Sequence, residues 1–558
     1  MSKDNSAMLK QSFVGRMLFL SLIIATTSLS AEPADPFSDG TPESAATTSV
    51  KDFGARGDGV ADDTAAIQSA IDSVANQGGT LLFPPGNYLV TSVGLRPGVH
   101  YLGYGATITR PANQGKWVRS FDAAKQGYLY SGDEDSAMLT IEGLTFDGQR
   151  VTQDEYQKYQ LEHAHLLFLQ ADPEQAGRLR ARIVNCQFQD CVADAISLYT
   201  NVDVQIMNCT ARDCFRGGIT ITGGHSRIQV VNFTAHGKVH PTGIDVEVDG
   251  AGFGGSYKIE LTLNGLMLPD GDFDVAVFDG SVVLGTNIMA RAPFNLYARD
   301  ASVRISNSEF GIGRYSGGEN RIVHPGDVTF QNCRFYIDGE SSDEASTWAA
   351  IHVYWNLSQG QQQINQSLKL LDCDFEVGPG IAKQDTTYAV YCEGDVAERK
   401  NRLLVDGGRI PASFNYGVFI NLGGTVCLRD VEIEAQTPMY FGSTDNWPIV
   451  ALIDGVRVEE ASRYAMIVTH GPDNRFTHRN VEIDESVNTI ETSYGIAKNQ
   501  YRGRRTILGD KPPTSATHGL LGDVYRLKTP AAGSTFEWIC TQTGNGVGAV
   551  WSPSMKLE

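Results

Sequence analysis

The sequence predicts an all-β chain wound as a parallel β-helix, with a capping helix before the coils and a small β-module after them. Three observations carry this. The phrase Asn185-Cys186-Gln187-Phe188-Gln189-Asp190-Cys191 returns 23 residues later as Asn208-Cys209-Thr210-Ala211-Arg212-Asp213-Cys214, and a period of that size marks a solenoid. Between these marks the apolar residues alternate with period two, as in Ile196-Ser197-Leu198-Tyr199 and Ile219-Thr220-Ile221-Thr222, which selects strands over helices. Glycine supplies 59 of the 558 residues, above the usual share of roughly 7%, as many tight turns require.

At the N-terminus Lys10 and Arg16 precede the apolar run Met17 to Ala25, and Ser28-Leu29-Ser30-Ala31 follows. This order of parts predicts a secretory signal peptide over residues 1–31 and an exported, secreted or periplasmic protein. The run is too short for stable membrane insertion. Its removal takes away three positive groups and one negative group, moving the formal charge from −20 to −22; so acidic a chain is not a nucleic-acid binder. Residues 32–48, rich in Pro, Ser, Thr and Ala, read as a flexible tether.

The β-helix domain is expected over residues 49–510. It opens with Val50-Lys51-Asp52-Phe53-Gly54-Ala55-Arg56-Gly57-Asp58-Gly59, continues through Asp62-Asp63-Thr64 into Ile67, Ala70, Ile71 and Val74, and then gives Gly78-Gly79-Thr80-Leu81-Leu82-Phe83-Pro84-Pro85-Gly86-Asn87-Tyr88. Helical spacing after an acidic N-cap predicts an amphipathic helix, laid over an open solenoid end that would otherwise expose apolar interior and unpaired edge. Over residues 50–90 these phrases closely resemble the opening of the pectate-lyase/rhamnogalacturonase/epimerase-like superfamily of secreted right-handed β-helix proteins. The resemblance implies a right-handed helix and action on, or binding to, a polysaccharide. It does not choose the reaction, because lyases, hydrolases, epimerases and tailspike-like proteins share the solenoid.

Along the coils, Asn185, Asn208, Asn232, Asn264, Asn287, Asn307 and Asn332 recur. Asn tolerates a left-handed backbone, so these are read as corner residues whose amides stack from coil to coil. Nine cysteines include the pairs Cys186/Cys209 and Cys191/Cys214 at the coil period, read as a buried thiol stack in preference to disulfides. After Lys511-Pro512-Pro513, residues 511–558 are expected to form the β-module, anchored by Trp538 and Trp551.

Aligning strands on their first apolar residue stacks Ile196, Ile219, Ile244, Val275 and Phe294 inward. The outward columns are then Ser197, Thr220, Asp245, Ala276, Asn295 and, beside it, Tyr199, Thr222, Glu247, Phe278, Tyr297. Tyr199, Phe278, Tyr297 and Asn295 suit a sugar chain, whose ring faces stack on aromatics while hydroxyls bond to amides. In Gly243-Ile244-Asp245-Val246-Glu247-Val248-Asp249-Gly250, carboxylates at i, i+2 and i+4 share one side of a strand. Their repulsion must be offset, either by Ca²⁺ on Asp245, Glu247 and Asp249 or by a proton shared in an acid/base pair. Arg216 and Asp194 approach the same face on earlier coils, and His225 follows one of those strands.

Two reactions fit such a cluster. Elimination from a uronic acid needs a cation on the sugar carboxylate and a base at C5, with Arg216 or a nearby His as clamp or base. Hydrolysis needs two carboxyl groups, for which Asp245, Glu247 and Asp194 are the candidates. The N-T-D and R-I-K phrases of polygalacturonase-type members and the Y-G-F-D-P-H phrase of alginate epimerases are absent from the chain, which disfavours both types. The reading is a secreted polysaccharide lyase acting on a uronic-acid-containing glycan, with a glycoside hydrolase and a non-catalytic glycan-binding or tailspike-like surface protein as alternatives. The pattern fixes no oligomeric state.

Overall fold

The computed structural model describes residues 47–556 except 113, 116, 151, 238–241, 248–257, 270–271, 292–293, 313–318, 324, 338–345, 356–365, 383–384, 395–400, 422, 443–447, 459–463, 470–473, 486–487, 493–499 and 544–548. The expected signal peptide, most of the tether, Asp249 and the loop after it lie outside the described residues. Thr47–Ser49 is a strand paired in parallel with Gly79–Leu82, so the last two residues read as tether, Thr47 and Thr48, are part of the sheet.

Among the described residues fifteen strands stack in strict chain order into one parallel sheet, and the other strands of the coils belong to a second, 32-stranded sheet that also takes in the C-terminal strands. Side chains alternate across each strand, so every coil sends one set inward, and stacking joins these sets into a single apolar column from Val50 to Ile483. Phenylalanines run up that column: Phe146 stacks on Phe188 at 4.9 Å and Phe335 on Phe375 at 5.6 Å. The helix Thr64–Ala75 buries Ile67, Ala70, Ile71 and Val74 in the same core. Asp63 does not cap it with its side chain; it accepts instead from the backbone N–H groups of Arg56 and Gly57, fixing the turn ahead of the helix.

The corner amides form the expected ladder. Asn185, Asn208, Asn232, Asn287, Asn307 and Asn332 have φ between 50 and 54°, and the amide of Asn232 donates to Asn208, that of Asn287 to Asn264 and that of Asn332 to Asn307. At Asn264 the left-handed position passes to the next residue, Gly265, at φ 71°. All nine cysteines are thiols, eight of them buried, and Cys191 and Cys214 lie 2.6 Å apart across adjacent coils.

At the C-terminal end Gln500–Gly509 pairs in parallel with Val524–Leu527, which opens an antiparallel meander with Thr535–Gln542 and Val550–Lys556. Tyr525 and Trp538 bury with Ile507, with Trp551 packed against them. Arg505 and Asp523, each 3% exposed, form a bidentate pair beside this cluster. Among the described residues no helix is long and apolar enough to cross a membrane.

Candidate active site and relatives

The strands Leu167–Leu169, Ile196–Leu198, Gly217–Ile221, Thr242–Glu247, Asp272–Phe278 and Phe294–Arg299 are neighbours in the 15-stranded sheet. Their register makes one outward column of Phe168, Ser197, Thr220, Asp245, Asp274 and Asn295. This corrects the sequence alignment at one strand. Phe273, and not Val275, stands between Ile244 and Phe294, so Asp274 replaces Ala276 beside Asp245. A slip of two preserves the inward–outward alternation, so periodicity cannot detect it. The choice is made by packing: Phe273 enters the phenylalanine column, 5.8 Å from Phe310. The second column shifts likewise, with Ala276 beside Glu247 and Tyr297, and Phe278 beside Arg299.

Ser197 and Thr220 point away from the core yet are buried, because the segment from Gln153 to Leu166 crosses this face. Thr152 and Glu155 make a reciprocal capping box that starts the helix Gln153–Tyr159, and Tyr156 stacks on Phe215 at 4.0 Å. Beneath the segment lies a cavity of about 340 Å³, lined by Tyr156, Glu162, His163, His165, Asp194, Ser197, Tyr199, Arg216, Thr220, Thr222 and Glu247. Of the residues expected from sequence, Asp194, Arg216, Glu247 and Tyr199 therefore meet in one place. His225 does not join them. It is a left-handed corner residue at φ 56° whose Nδ1 is 2.8 Å from Asn201 Oδ1. Phe278, Tyr297 and Asn295 lie on later coils outside the cavity: the two rings are 5.2 Å apart, and the amide of Asn295 donates to Asp274 at 2.7 Å.

His163, His165, Glu162 and Tyr156 were missed by sequence reasoning. The available signals were the Thr152–Glu155 capping pattern and the alternation Glu162-His163-Ala164-His165, in a stretch that interrupts the coil period. His165 is 2% exposed and its Nδ1 lies 3.1 Å from Oδ2 of Asp194, itself 1% exposed. The pair is not aligned as a hydrogen bond. Both these atoms, together with His165 Nε2, Ser197 Oγ and Thr220 Oγ1, are buried without a hydrogen-bond partner. Arg216 donates from Nη1 to the Glu162 carbonyl at 3.0 Å and lies 3.9 Å from Asp194 Oδ2. Gly217 permits this approach, since a Cβ there would sit 3.1 Å from Asp194 Oδ1 and 3.2 Å from the Thr242 carbonyl.

The electrostatics follow from this packing. Burial, then Glu247, Asp194 and Asp274, push the Asp245 carboxyl up to about 7 against the opposing pull of Arg216. Burial also raises Asp274, against its hydrogen bonds from Asn295. Burial works against the charge of Arg216, but Asp194, Tyr156, Glu247 and Asp245 outweigh it, so the guanidinium is held above its ordinary value. Of the three carboxylates considered for Ca²⁺, Asp245 and Glu247 are on this face, and Asp249 is outside the described residues. Among the described residues no three His, Cys, Asp or Glu side chains are grouped to hold a metal ion. The arrangement can bind an anion, hold a proton near neutrality and offer a buried imidazole.

Residues 47–260 match the family model described as rhamnogalacturonase A/epimerase, pectate lyase-like. Over that span the chain is pectate-lyase-like. The chain is similar to mannuronan C5-epimerase AlgE2 of Azotobacter vinelandii, with 40% identity over 111 residues, 18% of this chain and 11% of that protein. It is also similar to alginate lyase 7 of the same organism, with 36% identity over 111 residues, 18% and 12% of the two chains. The match thus spans about a tenth of the length of these relatives. Among solved structures, the tailspike protein of E. coli bacteriophage HK620 in complex with pentasaccharide aligns over 80% of this chain and 78% of its own, at 11% identity and a TM-score of 0.44.

Proposed function

We propose that this is an exported enzyme acting on a uronic-acid-containing polysaccharide, and that it cleaves the chain as a lyase. The observation that carries the reading is the convergence of Arg216 and five orphaned buried polar atoms on one cavity next to Asp245, whose carboxyl is raised to about 7. Buried polar atoms are costly without partners, and sugar hydroxyls and a carboxylate would supply them.

The chemistry follows from the positions. A C5 proton is acidic only when the neighbouring carboxylate is neutralised, and in this reading the Arg216 guanidinium, which lines the cavity, does so. His165 Nε2 takes the proton, with Asp194 facing Nδ1 to orient the ring and stabilise the imidazolium. The C5 electron pair forms the C4–C5 double bond as the C4–O bond breaks, and the departing oxygen receives a proton from Asp245. Epimerisation is the second reading, favoured by the 111-residue match to mannuronan C5-epimerases: the same abstraction occurs, and Asp245 returns a proton to the opposite face of C5. Ca²⁺ held by Asp245 and Glu247 would be another way to offset these carboxylates, and a fall in the titration midpoint of Asp245 on adding Ca²⁺ would reveal it.

The test is incubation with polymannuronate, polyguluronate and polygalacturonate in D₂O. Absorbance of unsaturated uronate identifies the lyase. Deuterium at C5 in unshortened chains identifies the epimerase. New reducing ends without that absorbance refute C5 chemistry in favour of hydrolysis, and silence on all three, with retained binding, leaves a glycan-binding surface protein.

A further inference from the structure

We propose that the indole of Trp117 is a second sugar-binding platform, holding the residue of a uronate chain next to the one in the cavity. The proposal rests on the cavity reading above. Tryptophan is highly buried on average; here Trp348, Trp355 and Trp538 are in the core and Trp551 is half-buried, whereas Trp117 is 62% exposed. It is also firmly mounted. Its ring lies parallel to that of His163 at 4.3 Å and 3°, and His163 lines the cavity. Arg119 sits 3.4 Å over the Phe168 ring and donates from Nε to the His163 carbonyl at 3.4 Å, tying the Trp117 loop to the segment that roofs the site.

The rings then continue inward. His163 is 6.1 Å from His165, and His165 is 5.8 Å from Phe168, so an exposed indole stands at the start of an aromatic path ending at the orphaned imidazole. Holding an indole in water forgoes the burial its area would gain. A pyranose ring recovers it by laying its C–H face on the indole while its hydroxyls stay solvated. The Arg119 guanidinium, 5.7 Å from the indole, is already paired with Asp122 at 3.8 Å and braces the loop. The platform therefore selects chain length: a short oligomer fills the cavity alone, and a longer one adds the Trp117 contact.

The experiment is calorimetric titration of the full chain by mannuronate and galacturonate oligosaccharides of graded length, in a His165→Gln background that slows turnover enough for binding to be read. Trp117→Ala should weaken binding of the longer oligomers about tenfold, equivalent to about 1.4 kcal/mol, leave the shortest binding oligomer unchanged, and be largely rescued by Trp117→Phe. Equal affinity of the Trp117→Ala chain at every length overturns the platform and leaves the cavity reading in place. Absence of binding at every length with Trp117 intact overturns the cavity reading and the platform with it.

Discussion

Replacing Asp245 by Asn removes a carboxyl that the fold keeps protonated close to neutrality. Raising its pKa from 3.8 to about 7 corresponds to roughly 4 kcal/mol at about 1.4 kcal/mol per pH unit, and to about 2–4 kcal/mol once the side chain's partial exposure is discounted. The folded state holds this proton more tightly than the unfolded chain does. The group therefore costs nothing below about pH 4, where both states are protonated, and its penalty grows as pH rises towards 7 and then levels. In Asp245→Asn that penalty disappears. Urea midpoints of both proteins at about pH 4.5 and pH 8 should show the variant gaining about 1–3 kcal/mol relative to wild type between the two conditions, since about 1 kcal/mol of the penalty is already present at pH 4.5. Turnover by wild type should decline as the pH passes 7 if Asp245 is the proton donor, and the variant should lose turnover throughout. A stability difference that does not change with pH, or a ¹³C titration of the Asp245 carboxyl near 4, would refute the argument that burial and like charges control this site.

Asp274→Asn removes one of the charges that raise Asp245, so the alkaline limb of the activity profile should move to lower pH, read from kcat against pH. His165→Gln should lower kcat by about 10²–10⁴-fold, the usual worth of a positioned base, with KM little changed; steady-state kinetics on the active polymer measures the split. Thiol titration should give nine groups in guanidinium and at most the half-buried Cys427 in the native protein. Fewer than nine after unfolding would mean that the stacked cysteines oxidise.

The solenoid was legible because its signals repeat. Each Asn corner and each two-residue alternation is weak alone, but the 23-residue return of Asn-Cys-x-x-x-Asp-Cys is specific, and the left-handed φ at Asn185 and Asn208 is its physical cause. The same logic anticipated that Asp194, Arg216, Glu247 and Tyr199 come together, since the coil period brings them to neighbouring strands around one cavity. Asp274 was missed because a two-residue slip leaves the hydrophobic pattern intact, and only the shape of Phe273 in the aromatic column breaks the tie. His163 and His165 were missed because they sit where the period fails. A segment that leaves the ladder to cross its face has no repeat to announce where its side chains land, and His225 was preferred for its nearness in sequence although its corner position turns it to Asn201.

The acidic surplus of the chain resolves into two populations. On the ladder's exterior, carboxylates are matched by cations on adjacent coils: Asp406 with Arg429, Glu434 with Arg409, Glu482 with Arg457, and Asp327 with Lys369. These exposed pairs are individually weak, but they keep a column of charges one strand apart from repelling. Among the described residues Asp245 and Glu247 have no such ion pair. Their nearest compensation is Arg216, which lies within 4 Å of the more deeply buried Asp194, and Asp274 adds a further negative charge from the next coil. An exterior acid that served only solubility would have been left in water or given a partner, as its counterparts were. This one is half-buried, crowded by like charges, and set beside a cavity whose polar atoms lack partners, so the fold maintains a proton on Asp245 near neutrality at a cost in stability, as the proposed acid role requires.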